Sequence, residues 1–138
     1  MSDKKENKKV KIILVFFVII IIPAIWFLFL NKGSDREVAS KTLSGKWLRA
    51  DGTYTIEIKE VHDENKLVAF YFNPNPINVA KAMWSMEDDV LQVYVEMNDE
   101  NYEGSYYKLT YNKQSEQLVG IYFQAFSKQS YQVSFNKQ

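Results

Sequence analysis

Apolar and polar residues alternate along three stretches of the chain. Tyr54, Ile56 and Ile58 interleave with Thr55, Glu57 and Lys59; Leu91, Val93 and Val95 with Gln92, Tyr94 and Glu96; Tyr131, Val133 and Phe135 with Gln132 and Ser134. A period of two predicts strands with one wet face and one face in a core. Clusters of turn-forming residues punctuate the pattern: Asp51-Gly52, His62-Asp63-Glu64-Asn65, Asn73-Pro74-Asn75-Pro76, Glu87-Asp88-Asp89, Asn98-Asp99-Glu100-Asn101, Asn112-Lys113-Gln114-Ser115 and Ser127-Lys128-Gln129. Between them the spacing predicts eight strands, at 45–49, 54–61, 67–72, 77–85, 90–97, 102–111, 117–125 and 130–135. Their connections are too short for crossovers, so neighbours run antiparallel, and closing the sheet removes its exposed edges. The expected fold is all-β, an eight-stranded antiparallel up-and-down barrel over 43–138.

One hairpin design recurs. Gly52-Thr53-Tyr54 leads to Leu67-Val68-Ala69-Phe70-Tyr71-Phe72, and Gly104-Ser105-Tyr106 leads to Leu118-Val119-Gly120-Ile121-Tyr122-Phe123. Glycine to leucine is 15 positions in the first copy and 14 in the second, a difference assigned to the turn. Alternation fails in these two strands, since both faces are apolar. A barrel has one inside, so one set must face out. Val68, Phe70, Phe72, Val119, Ile121 and Phe123 are the candidate interface, a wall covered by a second copy or by another envelope protein.

Ahead of the barrel, residues 12–30 carry no charge and are long enough to cross a bilayer core of about 30 Å as a helix. Pro23 bends or is accommodated within that helix, and Trp26 sits toward its far end. The tail 1–11 holds five lysines against Asp3 and Glu6, a net +3, which places the N-terminus in the cytoplasm and the barrel outside it. The run exceeds the apolar core of a secretory signal and no cleavage site follows closely, so an uncleaved single-pass anchor is expected, with cleavage the competing reading. Residues 31–42 read as a polar linker.

The rest of the chain has twelve bases against fifteen acids, a net −3, without the basic footprint that nucleic acid requires. Aromatics at 15% reinforce the β reading. With no cysteine there is no disulfide and no thiolate chemistry. The single histidine, His62, lies in a charged turn and reads as solvated. The acidic turns lack the spacing of a calcium loop, and there is no phosphate loop, zinc spacing or nucleophile elbow. The expectation is therefore no enzyme, no cofactor and no metal.

Gly45-x-Trp47, Gly52-Thr53 and Leu67-x-Ala69-x-Tyr71 together resemble the opening hairpin of avidins and, through Gly-x-Trp, of lipocalins. The resemblance implies an eight-stranded, ligand-binding barrel of the calycin type. In avidins the positions matching Arg49, Thr53 and Tyr71 help to hold the polar end of biotin. Here Arg49 replaces a small amide, Thr53 has the outward parity, and the tryptophans that wrap biotin have no match, which argues against biotin itself. The wider pattern, with Tyr71-Phe72-Asn73-Pro74-Asn75-Pro76-Ile77, is similar to a set of uncharacterised bacterial membrane-anchored proteins.

Candidate ligand-binding residues are Trp47, Arg49, Tyr71, Asn73, Asn75 and Trp84. Trp47 either plugs the barrel floor or lines a pocket, and Arg49 shares its face. Two prolines stiffen the Asn73–Pro76 loop into a structural corner or a binding mouth. The functional expectation is a membrane-anchored extracytoplasmic module binding a small apolar or amphipathic ligand or an envelope protein. The alternative is a structural subunit with a filled barrel, and an enzyme comes third.

Overall fold

Backbone pairing follows the alternation. In the computed structural model, which describes residues 33–138, nine strands form one antiparallel sheet in the order β4-β3-β2-β1-β9-β8-β7-β6-β5. They are β1 (Gly45–Arg49), β2 (Thr55–Val61), β3 (Leu67–Asn73), β4 (Asn75–Ile77), β5 (Val79–Glu87), β6 (Val90–Met97), β7 (Tyr106–Asn112), β8 (Gln117–Gln124) and β9 (Gln129–Lys137). Arg36–Gln138 makes one compact unit. The apolar run 12–30 and its basic tail lie outside the described residues, and among those described no helix is long and apolar enough to cross a membrane.

The sheet curls into a nearly closed barrel. Its ends meet where Lys66 forms an isolated antiparallel bridge to Met83 and the Trp84 amide donates to the Asn65 carbonyl at 2.9 Å. Elsewhere along this seam β3 is taken by β4, with Tyr71, Phe72 and Asn73 opposite Ile77, Pro76 and Asn75. This is why nine strands replace eight. Asn73-Pro74-Asn75-Pro76 is the tip of a tight hairpin rather than a free loop, and the strand expected over 77–85 breaks at Asn78. A shallow groove of about 390 Å³ lined by Ala69, Phe70, Ile77 and Val79 marks the unpaired stretch.

Turn chemistry sets the other connections. Asp88-Asp89, between the paired Glu87 and Val90, is a two-residue hairpin loop in which both residues have positive φ, 50° and 61°, the geometry that matches the twist of flanking strands. Gly120 has no room for a side chain: a Cβ there would lie 2.1 Å from the Lys108 carbonyl oxygen on β7. The two repeated hairpins share a register at their open ends, with Ile56 opposite Tyr71 and Tyr107 opposite Tyr122, but the first carries a bulge between Ile58 and Glu60 that the second lacks. The first copy is one residue longer between Gly52 and Ile56, and its bulge is offset by a turn one residue shorter, five residues between Val61 and Leu67 against six between Tyr111 and Leu118. Ser105, rather than Tyr106, is the counterpart of Tyr54, and Tyr106 faces outward.

Inside the barrel are Trp47, Ile56, Ile58, Leu91, Val93, Val95, Val133 and Phe135, all buried, joined by Tyr71, Tyr107, Leu109 and Leu118. Tyr54 is half-buried against this core. Tyr131 departs from the expectation: it keeps the inward parity, but it sits at the start of β9 where the barrel opens, and is 44% exposed.

The polar stretch expected as a linker is helical at 33–43, here α1. Ala39 and Leu43, one turn apart on one face, are fully buried. Two apolar positions are too few to announce a helix in sequence, yet they suffice to close the end of the barrel at which β1 begins. Trp47 completes that closure. Its indole N–H donates to the Leu43 carbonyl at 2.7 Å, and its ring meets Tyr111 edge-on at 6.3 Å. Lys137 ties β9 to the same place, donating to the Thr42 carbonyl at 2.7 Å. Arg36 pairs with Asp63 at 3.3 Å.

The outward apolar sets are also placed differently from expectation. Val68, Phe70 and Phe72 lie on β3, and Val119, Ile121 and Phe123 on β8, with β2, β1 and β9 between them. They make two separate surfaces, not one wall. Phe70 is 47% exposed, whereas Phe123 stacks at 5.1 Å on Tyr106, which stacks at 5.3 Å on Tyr94, in an outer ladder across β8, β7 and β6.

Replacing Trp47 by Ala removes a wholly buried ring and its hydrogen bond, and is expected to cost about 3–5 kcal/mol. Urea denaturation followed by circular dichroism reads this directly. A midpoint unchanged from the parent would show that Trp47 does not anchor the closed end.

Candidate functional site

The end of the barrel opposite α1 holds a cleft of about 730 Å³. Arg49 and Asp51 from the end of β1, Tyr54 ahead of β2, Tyr71 and Asn73 from the end of β3, Tyr122 and Gln124 from the end of β8, and Ser130 to Gln132 at the start of β9 line it. Asn101 and Tyr102 overhang it from the loop before β7. The inward parity, followed upward from the packed core, carries Arg49 on β1, Tyr71 and Asn73 on β3, Tyr122 and Gln124 on β8, and Tyr131 on β9 to this rim.

A continuous polar chain forms the floor. Arg49 spans Asp51 with two hydrogen bonds, Nε to Oδ1 at 2.5 Å and NH2 to Oδ2 at 3.1 Å. Its NH1 donates to the Tyr107 hydroxyl at 3.2 Å, and the Tyr107 and Tyr71 hydroxyls share a hydrogen bond of 3.0 Å. The guanidinium also lies 3.9 Å over the Tyr54 ring. Burial disfavours its charge, but the bonds to Asp51 and Tyr107 outweigh this and hold the group above its ordinary pKa. The same bond holds the Asp51 carboxyl below the usual carboxylate range.

Burial pushes the Tyr71, Tyr107 and Tyr122 phenols up. They remain neutral at physiological pH, able both to donate and to accept hydrogen bonds. Tyr107 stacks on Tyr122 at 4.8 Å and leans on Tyr71 at 5.5 Å. Tyr122 in turn stacks on the exposed Tyr131 at 6.3 Å.

Tyr102 is delivered by a braced loop. The Asp99 carboxylate accepts from the backbone of Asn78 and of Glu100, at 3.3 and 3.0 Å, and the Asp99 carbonyl accepts from the Tyr102 amide at 2.8 Å. The Asn73 amide donates to the Tyr102 hydroxyl, joining this loop to β3. Ser105, fully buried, accepts from the Ala125 amide at 3.0 Å and secures the loop's return.

Of the candidate ligand residues, Arg49, Tyr71 and Asn73 meet in the cleft. Trp47 belongs to the closed end and lines no part of it. Asn75 is exposed on the β3–β4 hairpin, and Trp84 packs at the seam, donating to the His62 carbonyl at 2.9 Å. Thr53 does not line the cleft, whereas Tyr54, its neighbour, does. Sequence reasoning missed Asp51, Tyr102, Tyr122, Gln124 and Tyr131. The repeat offered a signal for two of them, because Tyr122-x-Gln124 stands in the second copy where Tyr71-x-Asn73 stands in the first.

Comparison with family models, with curated proteins and with solved structures gave no match for this chain.

Asp51 provides a pH test. Its folded pKa is depressed, so its contribution to stability is complete above the ordinary carboxylate value and is lost as pH falls through the lowered one. Asp51→Asn should melt below the parent at neutral pH, and the gap should close on acidification. Thermal melts across that range decide the matter, and a gap that is independent of pH would show that the Arg49–Asp51 pair is not what the substitution removes.

Proposed function

We propose that this chain is a membrane-anchored, extracytoplasmic binding module that takes up a small amphipathic molecule at the open end of its barrel. The observation that carries the reading is the cleft itself. Its volume of about 730 Å³ lies within the range of small-molecule sites, and its floor of Arg49, Asp51, Tyr107 and Tyr71 is fixed by hydrogen bonds before any ligand arrives. The buried phenols and the paired Arg49 offer orientation and hydrogen bonding rather than a nucleophile or a base near neutrality, which favours binding over catalysis. The anchor and its direction rest on the uncharged run 12–30 and the lysines that precede it.

A second reading, docking on another envelope protein or on a second copy, is favoured by the outer ladder of Tyr94, Tyr106 and Phe123 and by the exposed Phe70.

Native mass spectrometry of the full chain released from its own membrane separates the two. Retention of a small molecule by the parent, with loss of that mass in Tyr122→Ala, is expected for the binding module. A bare parent that instead carries a stoichiometric partner chain would overturn it in favour of docking. For the orientation, a reporter fused after Gln138 should be active only outside the cytoplasm, and cytoplasmic activity would reverse the assignment.

A further inference from the structure

Resting on the binding reading above, we infer that the cleft is built for a neutral oligosaccharide. Its lining is unusual for what it omits. Of its twelve residues five are tyrosines, four are primary amides and one is a serine, and no aliphatic side chain takes part. A fatty acyl chain or another purely apolar ligand gains by leaving water for an apolar wall. This cleft would give it phenol and amide edges instead, with unpaired polar groups around it.

Charge points the same way. The charged lining residues are Arg49 and Asp51, and they neutralise each other through two hydrogen bonds. Arg49 is further engaged by Tyr107 and by the Tyr54 ring. An anionic ligand would have to break this arrangement to gain the guanidinium, and a cationic one would have to do the same for the carboxylate. The ligand that leaves it intact is uncharged.

The remaining groups define the chemistry. A sugar ring has apolar faces formed by C–H groups and a rim of hydroxyls that both donate and accept. Planar aromatic surfaces suit the faces, and amides, which carry a donor pair and an acceptor on one planar group, suit vicinal hydroxyls. The cleft supplies both at its rim: the exposed ring of Tyr131 and the half-buried ring of Tyr102 stand beside the exposed amides of Asn101 and Gln132, with Tyr71 and Tyr122 buried behind them. Tyr131, exposed and stacked beside Tyr122, extends the aromatic surface outward along the path of a longer chain.

The test uses the full chain in a zwitterionic detergent, because a sugar-headed detergent would itself compete for the cleft. An array of neutral and acidic glycans identifies a probe, and isothermal titration calorimetry with that probe compares the parent with two variants at the exposed ring. Tyr131→Ala should weaken binding by roughly tenfold, and Tyr131→Phe, which keeps the ring, should stay close to the parent. Dodecanoate serves as the fatty-acyl probe. Preference for acidic glycans, or dodecanoate binding that Tyr131→Ala abolishes, would overturn the neutral sugar while leaving a binding module in place. Glycan binding unchanged in Tyr131→Ala would overturn the assignment to this cleft. A blank array overturns the saccharide as ligand, and the native mass spectrum of the parent then decides separately whether any small molecule is bound.

Discussion

The indole of Trp47 touches three elements at one place: its N–H donates to the Leu43 carbonyl in the last turn of α1, its edge contacts Tyr111 at the end of β7, and Lys137 of β9 lies over its ring. A strand so early in the chain pairs with both β2 and β9, so the first and last segments of the barrel are joined at this residue. The hydrophobic effect favours burying so large a side chain, but the direction comes from its single donor, which must find an acceptor once water is excluded. One end of the barrel is thus sealed with apolar volume and one satisfied hydrogen bond. Apart from Tyr111, the polar side chains that the inward parity carries lie toward the other end.

That distribution explains why the two ends differ in chemistry although the strands between them are continuous. Along β1 the inward positions run from Gly45 through Trp47 to Arg49, and along β7 from Tyr111 through Leu109 to Tyr107. Arg49 is placed inward by the same alternation that buries Trp47, and its charge is tolerated because Asp51, Tyr107 and Tyr54 surround it. The phenols below it are held neutral by burial and linked hydroxyl to hydroxyl. The polar floor of the cleft and the apolar core are therefore one packing arrangement.

Much of this architecture was readable from residues. Three alternating stretches locate β2, β6 and β9, and the turn residues locate the hairpins; of the six candidate ligand residues Arg49, Tyr71 and Asn73 line the cleft, whereas Trp47, Asn75 and Trp84 do not. What escaped the reading did so for identifiable reasons. α1 buries Ala39 and Leu43 alone, a stripe too narrow to show a helical period. β4 is three residues long and contains Pro76, so it has neither the length nor the composition of a strand and exists through pairing with β3. Tyr131 obeys the inward parity yet is exposed, because alternation gives the face of a strand but not the depth at which the barrel ends. The six outward apolar residues were read as one surface because sequence shows two similar strands and not the three that separate them.

The seam between β3 and β5 sets how the cylinder responds to force. A sheet bonded all the way round behaves as a hoop, and widening its mouth requires every strand pair to stretch. Here β4 folds back on β3 and leaves the join to the Lys66–Met83 bridge, the Trp84 amide and the Trp84 indole, all near the β2–β3 turn and so away from the mouth. The barrel is accordingly a split ring whose backbone is clasped at one height, with the Asn73–Tyr102 side-chain bond crossing the slit nearer the mouth. Dilating the mouth along that slit costs this one side-chain bond, while the eight ladders and the apolar plug keep their geometry.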